Sequence, residues 1–160
     1  MQKSKDSGAP TLIFVAGGAL RVADVTRVLR SKTIRGEKGG DVAKLFARHF
    51  KLEDHVQYLK RTKVGAAVGT PGRIGKLLCE TGAPCIVDSP PDVSSDRNIP
   101  TDALSTSALT HIIIDASFKD AKKRSILDIP ETRDELFKTV FGSDAIQGVL
   151  RKGKVQVVLF

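Results

Sequence analysis

The run Val64-Gly65-Ala66-Ala67-Val68-Gly69 is apolar throughout and ends in Thr70-Pro71-Gly72-Arg73, after which Ile74, Leu77 and Leu78 follow at helical spacing. A short apolar run closed by Pro and Gly, with an amphipathic segment opening on Pro71, reads as a buried strand, a tight turn and a helix N-terminus. The turn is therefore a place where backbone N–H groups point outward. A chain holding such a unit is constrained toward helices alternating with strands, and the remaining segments agree.

Thr11–Ala16 predicts a first strand, broken by Gly17-Gly18, and Val22, Val25, Val28 and Leu29 predict a helix over Leu20–Arg30. Lys32–Gly40 reads as a basic, Gly-rich loop. Asp41 reads as the N-cap of a helix burying Val42, Leu45, Phe46 and Phe50. Leu52, Val56 and Leu59 predict another helix, with Glu53 and Asp54 in the first turn, where negative charge suits the dipole. The helix opening at Pro71 is expected to run to Glu80. Pro84, Pro90, Pro91 and Pro100 mark a long surface loop over about residues 82–101. A short helical turn at Leu104–Leu109 leads to a strand at His111–Asp115. Glu131–Phe141 predicts a helix burying Leu136, Phe137, Val140 and Phe141, then comes a helix at Ala145–Leu150 and a closing strand at Val155–Phe160.

This alternation predicts an α/β fold with a mainly parallel sheet and helices on both faces, in a single domain over 11–160 after a flexible segment at 1–10. Such sheets bind ligands at the carboxyl ends of their strands. Gly17-Gly18, Thr70–Arg73 and Asp115–Ser117 all fall at such ends.

The chain has 160 residues, enough for one domain with a real core, and 41% hydrophobic content without Trp fits aliphatic packing. No apolar run approaches the roughly 18 residues of a membrane helix. Met1-Gln2-Lys3-Ser4-Lys5-Asp6 is too polar for a secretion signal, so an intracellular protein is expected. Cys79 and Cys85 match no metal-ligand spacing and read as reduced structural thiols. Net charge is +8 and the sequence pI near 9.7, which favours polyanionic partners. The excess gathers at Arg21, Arg27, Arg30, Lys32, Arg35 and Lys38; at Lys60, Arg61 and Lys63; at Lys119, Lys122, Lys123 and Arg124; and at Arg151, Lys152 and Lys154.

Nucleotide chemistry is poorly supported. A phosphate-binding G-x-x-x-x-G-K-[ST] loop finds its nearest candidate in Gly69 to Gly75-Lys76-Leu77, where the glycine spacing is too long and Leu77 replaces the hydroxyl. Hydrolysis also needs one carboxylate for magnesium and another to orient water. Asp115 can serve the first role, but Ala116 cannot serve the second. Asp115 then reads as a strand-end carboxylate accepting backbone N–H bonds. His111, Asp115 and Ser117 stretch along a strand instead of converging, which excludes a proton relay. No cofactor, metal or catalytic residue is assigned. Thr70-Pro71-Gly72-Arg73 has two readings: a phosphate cradle of hydroxyl, amides and arginine, or a plain turn with a solvated arginine.

The order of these loops resembles the first RecA-like domain of DEAD-box helicases. Thr70-Pro71-Gly72-Arg73 matches an RNA-gripping motif, Gly17-Gly18-Ala19-Leu20-Arg21 stands where another would be, and Asp115 matches only the first letter of the hydrolytic motif. The stretches Ala19–Arg27, Val42–His49, Val68–Arg73, Asp115-Ala116-Ser117, Lys122-Lys123-Arg124 and Asp128–Thr132, in this order, carry a closer resemblance. Together they resemble the CMS/CMSS ribosomal small-subunit family of degenerate helicase-like proteins.

That resemblance implies a three-layer RecA-like domain without ATPase chemistry, acting in the early small-subunit pre-ribosome (the processome) of the nucleus and nucleolus. It further implies Phe160 as the C-terminus and a charged N-terminal extension in family members. The expected RNA-binding set is Gly17, Gly18, Arg21, Thr70, Pro71, Gly72 and Arg73, from the helicase-like loops, with Lys122, Lys123 and Arg124 added from the basic cluster on charge alone. Pre-ribosomal RNA, held by its backbone, and other processome proteins are the expected partners of a domain that is monomeric by itself. A scaffold that docks only proteins is the alternative. A helicase fragment completed by a nucleotide loop elsewhere is disfavoured by Ala116.

Overall fold

A computed structural model of the chain describes residues 6–36, 39–48, 50–78 and 103–160. The expected loop over 82–101, both cysteines and Lys38 lie outside the described residues. The strands are β1 (Leu12–Val15), β2 (Asp41–Leu45), β3 (Val64–Gly69), β4 (His111–Ile114) and β5 (Gln156–Leu159). Between them lie α1 (Ala19–Leu29), α2 (Lys32–Arg35), α3 (Leu52–Arg61), α4 (Pro71–Leu78), α5 (Pro130–Asp134, continued by π-helical Glu135–Val140) and α6 (Asp144–Arg151). They form a five-stranded sheet in the order β2-β3-β1-β4-β5, with every pair parallel. This is the three-layer α/β arrangement of a RecA-like domain.

The central strands β1 and β3 read as continuous apolar runs because both faces of the sheet are covered there. On one face Phe14, Ala16, Val42, Phe46, Ala66 and Val68 pack with Val22 of α1. On the other, Ile13, Val15, Ala43, Leu45, Ala67 and Ile112 meet residues of α3, α4, α5 and α6, among them Leu59, Ile74, Leu136 and Ile146. The period of two along β1 and β2 assigns successive side chains to opposite layers. Each fully buried aliphatic side chain contributes about 1.5–3 kcal/mol, so the second, thicker layer carries most of the apolar stabilisation.

The helix expected from Asp41 is instead β2. Its Val42, Ala43 and Leu45 are all buried, which suits a strand covered on both faces, and pairing with β3 overrides the local helical spacing. Asp41 does not cap a helix: its carboxylate accepts from the Val42 amide at 2.8 Å and from Tyr58 Oη at 2.6 Å. Phe50 consequently lies outside the core, 38% exposed. Within the expected loop after α1, Lys32–Arg35 forms a short helix. Leu104–Leu109 forms non-helical turns, closed by the Leu109 amide on the Thr106 carbonyl.

The helix expected at Glu131–Phe141 changes pitch at Glu135, where the Phe141 amide reaches the Leu136 carbonyl. The wider turn keeps Leu136 and Val140 in the core but rotates Phe137 outward, against Phe141 at 6.1 Å between ring centres. At the start of the chain, Gly8–Pro10 are buried. The Gly8 amide bonds the Thr62 carbonyl and its own carbonyl accepts from Ser105, so the packed domain already includes residues assigned to the flexible segment. No described helix is long and apolar enough to cross a membrane.

Candidate nucleic-acid interface

The carboxyl ends of β1, β3 and β4 lie side by side, because Val15 pairs with both Gly69 and Ile114. Gly17-Gly18, Thr70 and Asp115–Ser117 therefore emerge along one sheet edge. From α1, Arg21 Nε donates to Asp115 Oδ2 at 2.6 Å, while Ser117 Oγ and the Phe118 amide donate to Oδ1 at 2.7 and 3.2 Å. Burial would raise the Asp115 carboxyl, but the hydrogen bonds from Arg21 and Ser117, with the arginine charge, hold it below the usual carboxylate range. The backbone N–H bond expected for Asp115 is present, yet arginine is its main partner. Arg21 is thus placed at the predicted edge with its charge already matched internally, and its guanidinium lies 5.7 Å from the Phe118 ring centre.

The Thr70–Arg73 turn is a helix start. The Thr70 carbonyl accepts from the amides of Arg73 and Ile74. Arg73, expected at the surface, is only 8% exposed; its Nη2 donates to the Phe50 carbonyl at 2.8 Å. Arg73 Nη1 and His55 Nδ1 are buried without a hydrogen-bond partner among the described residues. Gly72 and Gly75 serve a close helix–helix approach: a Cβ on Gly72 would lie 2.8 Å from the Glu135 carboxylate, and one on Gly75 would overlap the Thr139 side chain. A carboxylate of the chain itself thus stands against the amide-rich end of α4, where it complements the helix dipole. Pro71 is buried, leaving Thr70 and Gly72 as the partly exposed members of the motif.

Loop 116–128 is built by two aspartates. Asp120 accepts from the amides of Lys122 and Arg124 and from the Arg124 guanidinium at 2.8–3.0 Å. Asp128 accepts from the amide and hydroxyl of Ser125 at 2.8 and 2.7 Å. Ile126 packs beneath Gly17, about 3.5 Å from where a Cβ would stand. This seats the loop on the Gly17-Gly18 turn and joins Gly17, Gly18 and Arg21 to Lys122, Lys123 and Arg124. Lys119, Lys122 and Lys123 project into solvent, and Arg124 is paired with Asp120.

At the far end of the edge, Lys44 Nζ lies 5.4 and 5.6 Å from the ring centres of Phe46 and Phe50. Phe50 and Phe118, each 38% exposed, thus flank the edge beside a cation. Neither was assigned to the site from sequence; Phe118 carried a signal as an aromatic residue shortly after a predicted strand end, whereas Phe50 was expected to be buried in a helix. Other basic groups go elsewhere. Arg30 and Arg35 bond the carbonyls of Val42 and Gly39, and Arg27 faces Asp24. Lys60–Lys63 and Arg151–Lys154 precede β3 and β5, at the opposite edge of the sheet. His111 opens β4 beside Thr110 Oγ1 at 2.8 Å, a strand's length from Asp115.

A family profile described as "CMS1: U3-containing 90S pre-ribosomal complex subunit" matches residues 1–89 and 95–160. Protein CMS1 of Chaetomium thermophilum is 40% identical over 140 residues, covering 88% of this chain and 46% of that protein. Protein CMSS1 of Danio rerio is 32% identical over 161 residues, covering 100% of this chain and 46% of the relative. Protein CMSS1 of Homo sapiens is 31% identical over 127 residues, covering 79% and 37%. The chain thus spans about half the length, or less, of the curated relatives it matches.

Proposed function

The chain belongs to the CMS1 family, described as U3-containing 90S pre-ribosomal complex subunits, and from that premise we propose that it is a non-catalytic RNA- and protein-binding domain of the early small-subunit pre-ribosome. Its setting would be the nucleus, in the nucleolus, and its RNA ligand the pre-ribosomal RNA backbone. The observation that carries the RNA reading is the basic loop seated on Gly17, which holds Lys119, Lys122 and Lys123 in solvent on a frame of internal hydrogen bonds. Exposed lysines carried on such a loop neutralise phosphates without reading sequence. Exposed Phe50 and Phe118 offer at most local base stacking.

Absence of hydrolysis is supported by the fate of Asp115. Its oxygens are engaged by Arg21, Ser117 and the Phe118 amide, and the neighbouring position is Ala116, which has no group to orient water. The domain keeps a helicase-like edge in which an internal ion pair stands in place of metal chemistry.

The deciding measurement is binding of a fluorescent single-stranded RNA across a salt series, with wild type beside Lys119→Glu/Lys122→Glu/Lys123→Glu. Salt-sensitive binding is expected, with a log–log slope of roughly −0.7 per neutralised phosphate, and at least a tenfold loss in the triple variant. A flat salt dependence or an unaffected variant would reject RNA binding by this edge. The second reading, a protein-docking scaffold, is favoured by the burial of Arg73 and by Glu135 against Gly72, which close the motif to phosphate.

A further inference from the structure

β5 pairs with β4 on one side, and among the described residues no strand pairs with its other side. The Gln156 amide bonds the Thr110 carbonyl and the Phe160 amide bonds that of Ile114, while the Phe160 carbonyl accepts from Ala116 and Ser117. Alternation along a parallel ladder then turns the N–H and C=O of Val157 and Leu159 outward. The side chains are as open as the backbone: Val157, Val158, Leu159 and Phe160 are 46, 40, 62 and 62% exposed. Natural edge strands are blunted by lysine, proline, bulges or covering loops. The segment Val155-Gln156-Val157-Val158-Leu159-Phe160 has no charged residue or proline, and β5 keeps regular register with β4.

We propose that the outer edge of β5, unpaired among the described residues, is a docking site for an extended segment of another pre-ribosomal protein, which adds to the described sheet as a sixth strand. The segment would be apolar on both faces, to cover Val157 and Leu159 on one side and Val158 and Phe160 on the other. Charge supplies the rest of its description. Arg151, Lys152 and Lys154 lead into β5, and the two lysines rim a cleft of about 310 Å³ floored by Leu109 and Val149. Acidic residues at the end of the incoming segment would complement this cleft. A second copy of the chain is disfavoured, because each copy carries a net charge of +8. RNA has no peptide amides with which to extend a ladder and little apolar surface to cover four adjacent hydrophobic side chains. The inference assumes work within a pre-ribosome but not that the lysine-rich edge binds RNA.

The test uses the full-length protein assembled into purified pre-ribosomal particles, with photoreactive p-benzoylphenylalanine at position 157. A crosslink to a protein segment that is apolar and acid-flanked is expected. A crosslink to RNA, to a second copy, or to nothing would overturn the proposal. Leu159→Pro removes one outward N–H while leaving the bonds to β4, since proline is tolerated where its nitrogen faces away from a neighbour. It is expected to lower recovery in particles at least tenfold while affinity for free RNA stays within twofold. If this variant melts at a lower temperature, Val157→Lys provides the same comparison without a backbone change. Normal assembly of a stably folded variant would overturn the proposal, whereas failure of free RNA binding in wild type would strike only the RNA reading.

Discussion

Arg21 and Asp115 are joined at 2.6 Å across the carboxyl edge of the sheet, with the aspartate side chain fully buried and the arginine side chain 26% exposed. A buried carboxylate without its cation is strongly unfavourable, because burial penalises its charged form. Arg21→Ala is expected to reduce unfolding free energy by about 2–3 kcal/mol at pH 7. In wild type the depressed carboxyl contributes stability above the unfolded value of 3.8, which is lost as pH falls through the lower folded value. In the variant, burial dominates and raises the carboxyl. The difference between the two proteins should therefore shrink as pH falls from 7 toward 4.5, measured by urea denaturation at both values.

Arg73 is expected to behave as a core residue. Arg73→Ala removes the bond to the Phe50 carbonyl and a buried stem, for a loss of about 1–3 kcal/mol. Affinity of the folded variant for RNA should stay within twofold of wild type. A large affinity loss at unchanged stability would return Arg73 to the interface.

His55 sets an acid limit on stability. Burial first, and then the Arg73 charge, push its imidazole down from 6.5 to about 4. The unfolded chain therefore takes up the proton first, and stability should fall as pH drops from 6.5 toward 4, by about 1–3 kcal/mol in all. His55→Gln should flatten that part of the profile in thermal melts taken across the range.

Two helical glycines should respond oppositely to alanine. Gly75→Ala places a methyl into the Thr139 side chain and should destabilise by about 1–3 kcal/mol. At Gly148 in α6 nothing lies within 4 Å, so Gly148→Ala should stabilise by about 0.5–1 kcal/mol. Denaturation midpoints of both variants check the pair.

Elements with one clear period were legible in the sequence: β3 with its following turn, α1, α3 and β4 lie within a residue or two of expectation. β2 was not, because Asp-Val-Ala-Lys-Leu fits either period and only its pairing with β3 decides. The pitch change at Glu135 was equally hidden, since it depends on packing against α4. In the site, the loop positions at one edge followed from topology alone. The direction of each arginine did not: Arg21 and Arg73 are long side chains that find partners far along the chain, at Asp115 and at the Phe50 carbonyl. Charge counts weigh all lysines and arginines alike, so they could not separate Lys122 and Lys123 from the basic residues at the opposite edge.

The strand order has a bearing on how the chain acquires its shape. β1, the first of the described strands, is the middle of the described sheet, and its neighbours are Val64–Gly69 and His111–Ile114. During synthesis it must wait for both before its two ladders close, and contacts so distant in sequence make for slow folding. Until β4 arrives, Phe14 and Ile13 have an open flank, a state prone to stray pairing. Fragments that stop before His111 should therefore be aggregation-prone, and dissection into smaller pieces is not a route to isolating the interface.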